Sequence, residues 1–365
     1  MIFFIMRIIM QSNGEKMLLA VASLAMLACG CTGVTSNDTD ITVQLAENAE
    51  KVLFYDMVNS VSLTSLKEDS CCVVGDVKKV EETDSFYFVL NQQKNMLVKF
   101  DKKGALRSSY CKIGHAKGEY ITINDFSVDE QQGIISLLAD YTKVFLLDFS
   151  FNVKEMYELK TPLERICAFE SSIYGYSTLN NKIVAVSADG CNDIVQGVQL
   201  PSWVFSQTPV FFKTGGKLLV SLECDNSIYS IGNDRADKFV SYSYNGYDEI
   251  LKRYSKEGGA EDEMFQNTPI RMISISLDDD ALRFVYSKDM IVRYACIDLQ
   301  KKDVVADGLF IGSPSPEWNG QQNGWIAESF VDGTELPVDS GYMEKIKYVN
   351  GKNLSGPVVV KYFFK

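Results

Sequence analysis

Residues 96–110 read MLVKFDKKGALRSSY. Val98 and Phe100 alternate with Lys99, the period-two pattern of a strand, and the polar DKKG at 101–104 is a turn that leads into a second strand. The same unit recurs as KVFLLDFSFNVKEMYEL at 143–159, KIVAVSADGCNDIVQGV at 182–198, SIYSIGNDRADKFVSYS at 227–243 and IVRYACIDLQKKDVVADG at 291–308. Aligned on the turn residues Asp101, Asp148, Asp189, Asn233 and Asp298, the copies are 47, 41, 44 and 65 residues apart. Repeats of ~40–50 residues with several short strands each are the mark of propeller blades.

The long fourth spacing contains YDEILKRYSK at 247–256, which places Ile250, Leu251 and Tyr254 on one side of a helix and is stopped by Gly258 and Gly259. This predicts a short helical insertion between blades four and five. A C-terminal set, WIAESFVDGTELPV, EKIKYV and PVVVKYFF, supplies a sixth blade, and KVLFYDMVNSVSL at 51–63 is suited to close it as an N-terminal strand, which removes an exposed sheet edge. The expected fold is all-β, a six-bladed β-propeller over residues 51–365.

A family likeness lies in residues 86–153. DKKG at 101–104, Ile113-Gly114, Gly118-Glu119-Tyr120 and DFSVD at 125–129 resemble the pattern of the six-bladed β-propeller lipoproteins common in gut Bacteroides-type bacteria. Asp225-Asn226-Ser227-Ile228-Tyr229 resembles the fourth-blade strand of that family. The resemblance implies the propeller fold and an envelope location. It implies almost nothing about chemistry, because a fold does not fix a function.

Ahead of the repeats, MLLAVASLAMLAC at 17–29 follows Lys16 and is apolar apart from Ser23. That is a signal-peptide core, too short to span a bilayer. It runs into Gly30 and Cys31, which resembles a bacterial lipobox. Cys31 is the expected lipidated residue and Cys29 the alternative, so residues 1–31 are read as signal peptide with lipobox and the polar stretch 32–50 as a tether. The expected location is the bacterial envelope, lipid-anchored at the outer membrane and facing periplasm or surface. A net charge of −12 without clustered Lys or Arg leaves no footprint for a phosphate backbone, so nucleic acid is excluded as a partner. The cysteines beyond the lipobox are irregularly spaced and form no C-x-x-C, and they read as small buried apolar residues rather than disulfide or zinc ligands.

No constellation for catalysis stands out. The single histidine, His115, has no partner spacing, no serine sits in G-x-S-x-G, and Asp278-Asp279-Asp280 lacks the rest of a calcium loop. Trp203, Trp318 and Trp325 lie in connections and, with His115, are candidate ligand-binding residues, since loop tryptophans stack on sugars or anchor proteins. Two function classes follow. One is an envelope lipoprotein that binds a glycan, peptide or envelope protein through propeller loops, without catalysis and without a cofactor. The alternative is a hydrolase resembling the metal-dependent lactonases, in which acidic residues from at least three blades hold a divalent metal in the central channel; Asp125, Glu170, Glu223 and Glu328 are the positions that bear on it.

Overall fold

A computed structural model describes residues 41–70, 72–75, 77–199, 210–254, 269–289 and 291–311, with 342–344, 348–349, 352–353 and 357–364. The N-terminal segment contributes strands β1 (Ile41–Gln44) and β2 (Lys51–Leu53), the single turn α1 (Phe54–Met57) and strand β3 (Val58–Ser65). Blade one is β4 (Val77–Glu82), β5 (Phe86–Asn91), β6 (Met96–Asp101) and β7 (Leu106–Tyr110); blade two is β8 (Ile123–Asp129), β9 (Ile134–Ala139), β10 (Lys143–Asp148) and β11 (Val153–Glu158). Blade three is β12 (Arg165–Phe169), β13 (Ser172–Ser177), β14 (Lys182–Ser187) and β15 (Gly190–Gln196). Blade four is β16 (Phe211–Thr214), β17 (Lys217–Ser221), β18 (Ser227–Gly232) and β19 (Arg235–Ser243), followed by the helix α2 (Tyr247–Tyr254). Blade five is β20 (Arg271–Leu277), β21 (Ala281–Lys288), β22 (Ile291–Asp298) and β23 (Asp303–Ile311). The sixth sheet has the order β24 (Tyr342–Glu344), β27 (Val358–Phe364), β3, and β25 (Tyr348–Val349) pairs with β26 (Lys352–Asn353) as a small hairpin.

Blades one to five are antiparallel meanders in chain order, and the five aligned turns of the sequence are the turns between their third and fourth strands. The pairing of those two strands carries a register shift in every one of these blades. A bulge repeated at one place adds twist and marks the blades as copies of one unit.

The middle strands are buried on both faces, which is why FYFVLN of β5 and IISLLA of β9 read as nearly continuous apolar runs instead of alternating ones. In β5, Phe88 and Leu90 pack against blade two, whereas Tyr87 and Val89 join a core that includes Val359 of β27. Six such cores link blade one to two, two to three, three to four, four to five, five to six and six back to one. This closes the ring of six blades.

The N-terminal segment straps three blades. β3 pairs antiparallel with the last strand β27, which is the expected N-terminal closure. β1 and β2 add a fifth, parallel strand to the outer edges of blades four and five. The sequence reading began the propeller at residue 51 and made 32–50 a tether; the structure moves that boundary to Ile41. Ile41, Val43 and Leu45 are only 3, 5 and 0 % exposed, so the alternating apolar side chains of this short segment belong to the core between blades four and five. Glu47 then locks the strap: its carboxylate accepts two hydrogen bonds from Lys288 Nζ (2.6 and 2.7 Å) and its N–H donates to Asp307 Oδ2 (2.8 Å).

Strand direction divides the loops between two ends. The first and third turns of each blade form the turn end. The second hairpin loops and the blade-to-blade connections form the connection end.

Candidate functional site

The innermost strands carry an unusual density of charge. VKKVEE of β4 resembles a solvent-exposed strand, yet in a ring the inner face of the first strand turns toward the central channel. Register shifts fall between Val77 and Lys79 in β4 and between Ile123 and Asp125 in β8, so the two charged residues that follow the bulges are re-aimed. Lys79 Nζ lies 2.9 Å from Glu81 Oε1 and 3.1 Å from Asp125 Oδ1 and donates to the Phe126 carbonyl at 2.6 Å. Lys213 on β16 of blade four donates to Ser127 Oγ and the Val128 carbonyl, both at 3.0 Å, and comes within 3.5 Å of Glu81 Oε2.

Backbone N–H groups complete the set. Val128 N donates to Glu81 Oε2 (2.7 Å), Phe126 N to Asp125 Oδ1 (2.9 Å) and Ile166 N, on β12 of blade three, to Asp125 Oδ2 (2.9 Å). All four carboxylate oxygens therefore have donors, and four blades contribute. Burial alone would raise the Glu81 carboxyl, but Lys213, Lys79 and the Val128 N–H outweigh it and hold the group below its ordinary value. Burial alone would lower Lys79, but Asp125 and Glu81 outweigh it and raise the ammonium above its ordinary value. Such a carboxylate is a weak base, and such an ammonium does not give up its proton near neutrality.

The positions singled out in the sequence separate in space. Asp125 is buried at this charge cluster, paired with Lys79. Glu223 is also buried, but it accepts from Arg271 Nε of β20 at 2.7 Å, at the junction of blades four and five. Glu170 is exposed, with φ +48, in the turn between β12 and β13 at the turn end. Convergence of acidic residues on the channel, the condition for the metal-dependent alternative, thus fails for these three: two are neutralised by different cations and the third points to the rim. Among the described residues no three His, Cys, Asp or Glu side chains are grouped to hold a metal ion. His115 is exposed in the connection between blades one and two. Trp203, Trp318, Trp325, Glu328, Cys29 and Cys31 lie outside the described residues. Sequence reasoning missed Lys79, Glu81 and Lys213; the signal for the first two is the four charges of VKKVEE on the first strand of blade one, and FFKT of β16 carries none for Lys213.

The loop motifs prove to be structural. Glu119 Oε2 accepts from Ala116 N (2.9 Å), and a side chain at Gly114 would overlap that carboxylate. Buried Tyr120 donates its hydroxyl to the Asn95 carbonyl (3.1 Å), which pins the connection to blade one. The cysteines divide: Cys72, Cys167 and Cys224 are buried as expected, Cys191 and Cys296 are partly covered, and Cys111 is exposed.

Residues 33–306 match the family DUF5128, described as a 6-bladed β-propeller. The chain belongs to that family. Its fold is similar to that of a Bacteroides fragilis protein labelled as exported, with a TM-score of 0.56, 17% identity, and coverage of 74% of this chain and 80% of the other. It is also similar to a DUF4221 family member from Bacteroides vulgatus, with a TM-score of 0.50, 9% identity, and coverage of 84% and 97%. At such identities the likeness concerns the fold. No curated protein matches the chain. Among the described residues of this DUF5128 protein, no helix is long and apolar enough to cross a membrane.

Proposed function

We propose that this DUF5128 protein is an exported lipoprotein, anchored through Cys31 or Cys29 in the outer membrane, that binds a glycan, peptide or envelope protein through its propeller loops without catalysing a reaction. The observation that carries the binding role is the saturation of Glu81 and Asp125 in the channel. Where a six-bladed hydrolase needs carboxylates free to hold an ion or take a proton, these hold lysines and backbone N–H groups of neighbouring blades. The apolar run at 17–29 ahead of the two cysteines supports export and lipidation, and the exported label of the B. fragilis relative is in keeping with it.

Two measurements test the reading. Growth with an alkyne-tagged palmitate is expected to label the full-length protein, with the label lost in Cys31→Ser or in Cys29→Ser; a chain that stays unlabelled would remove the anchor. Glycan and peptide arrays probed with the purified protein are expected to return a saturable ligand that leaves unchanged. Turnover of that ligand, abolished by Asp125→Asn, would replace the binding role with an enzymatic one.

A further inference from the structure

The two ends of the propeller differ in character. At the turn end of blades one to three the exposed large apolar residue is Val153, beside the third turn of blade two, and the turn end of the ring carries Asp84, Glu130, Glu170, Asp234 and the Asp278-Asp279-Asp280 run. The connection end of blades one to three exposes Val73 on the way into blade one and, between blade one and the exit of blade three, five large apolar residues: Ile113 (52 %), Ile121 (43 %), Tyr141 (50 %), Leu179 (64 %) and Val198 (38 %). They sit on loops that are tied to one another. Ile121 N donates to Asp140 Oδ1 (2.9 Å), Leu163 N to the Tyr141 carbonyl (2.8 Å), and Asn181 Nδ2 to the Val198 carbonyl (2.8 Å). The surface is thus one braced platform rather than five scattered side chains.

Tyr141 is its strained point. With Asp140 it forms the central pair of the turn between β9 and β10, closed by Thr142 N donating to the Ala139 carbonyl (3.2 Å), and both residues have positive φ, +50 and +61. The second position of such a loop favours glycine, and a bulky residue there is disfavoured. Phe151 also has a positive φ, +64, but it is buried and stacks near Phe88 and Tyr110, so packing accounts for it. The half-exposed Tyr141 has no such burial, and its backbone is held in place by Asn124 Oδ1, which accepts from Tyr141 N at 2.7 Å. Strain retained at an exposed aromatic points to a contact made outside the chain.

The charges around the platform indicate what that contact carries. Lys112, Lys117 and Lys160 are exposed on the same connections, whereas two of the nearby acids are spent internally, Glu119 on Ala116 N and Asp140 on Ile121 N, Thr122 N and Lys143, which leaves Glu158 as the exposed acid beside Lys160. In a chain of net charge −12 this is a locally cationic surface.

We propose that the connection end of blades one to three docks an acidic peptide segment of another envelope protein, one that bears large apolar side chains, with the Tyr141 ring as anchor. The proposal rests on the binding role above and names its face and partner chemistry.

The test is selection of random twelve-residue peptides displayed on phage against the full-length protein. Enrichment of peptides combining Asp or Glu with large apolar residues is expected. Tyr141→Gly, which relieves the strained backbone, is expected to leave thermal stability equal or higher while weakening those peptides by roughly tenfold or more. The triple Lys112→Glu, Lys117→Glu, Lys160→Glu variant is expected to weaken them as well, and Val305→Ser, on the outer strand β23, to leave them unchanged. Enrichment of neutral or basic peptides, or full binding by folded Tyr141→Gly, would overturn the proposal. Binding of a glycan but no peptide would overturn it while leaving the binding role intact; neither ligand class, together with metal-dependent turnover, would remove both.

Discussion

Lys213 does at the residue scale what a core does for a blade: it joins β16 of blade four to Glu81 of blade one and Ser127 of blade two. Removing one partner of a buried charge network leaves the other uncompensated. Lys213→Met is expected to cost about 2–4 kcal/mol in urea unfolding, less than a fully orphaned charge because Lys79 and the Val128 N–H still hold Glu81. The pH dependence has a definite sign. The folded Glu81 carboxyl lies below its unfolded value of 4.5, so its contribution is full above that value and is lost as pH falls through the lowered folded one. Glu81→Gln should therefore flatten the acid limb of the stability curve below about pH 4.5; an unchanged limb would show that Glu81 is not charged in the folded protein. Gly104 offers a second residue-scale test. Its φ is +75, and an added Cβ would lie 1.9 Å from the Ser65 carbonyl oxygen, where β3 meets the first blade. Gly104→Ala is expected to lower stability by about 1–3 kcal/mol, read as a shift of the urea midpoint.

At the scale of elements, the strap makes the sharpest contrast. Val43→Asp and Leu45→Asp each place a charge in the core between blades four and five and should cost about 2–4 kcal/mol, whereas exposed Gln44→Asp should cost little. Equal tolerance at all three positions would restore the tether reading. The five hairpins were legible from their Asp, Asn and Gly turn residues, and three of them are held by the aligned aspartate itself: Asp101 Oδ1 accepts from Lys103 N and Ala105 N, Asp148 Oδ1 from Ser150 N and Asn152 N, and Asp298 Oδ1 from Gln300 N and Lys301 N. α2 was legible from its periodicity. The strand at Ile41 was not, because four residues of alternation inside an acidic stretch carry little signal, and their partner, β19, lies about two hundred residues away. The channel charges escaped for the opposite reason. Lys79 and Glu81 sit in VKKVEE, whose charges come in pairs around Val80, and so polar a strand reads as a solvent-facing one until the ring supplies an inner face.

The whole molecule is a ring held by six interblade cores, one of which uses β27 against blade one, with the N-terminal strand β3 paired on the other edge of the last blade. Blade count was readable from turn spacing, and ring closure from the apolar run at 51–63. Function was not, because the residues that line the channel are far apart in sequence and become a set only on closure. That set neutralises itself, and on this rests the claim that the propeller binds rather than catalyses. The most direct measurement is the metal content of the full-length protein after equilibration with calcium, zinc or manganese, with urea unfolding followed in each. The expected result is no stoichiometric ion and superposable unfolding curves; one tightly held ion per chain, lost in Asp125→Asn, would contradict it.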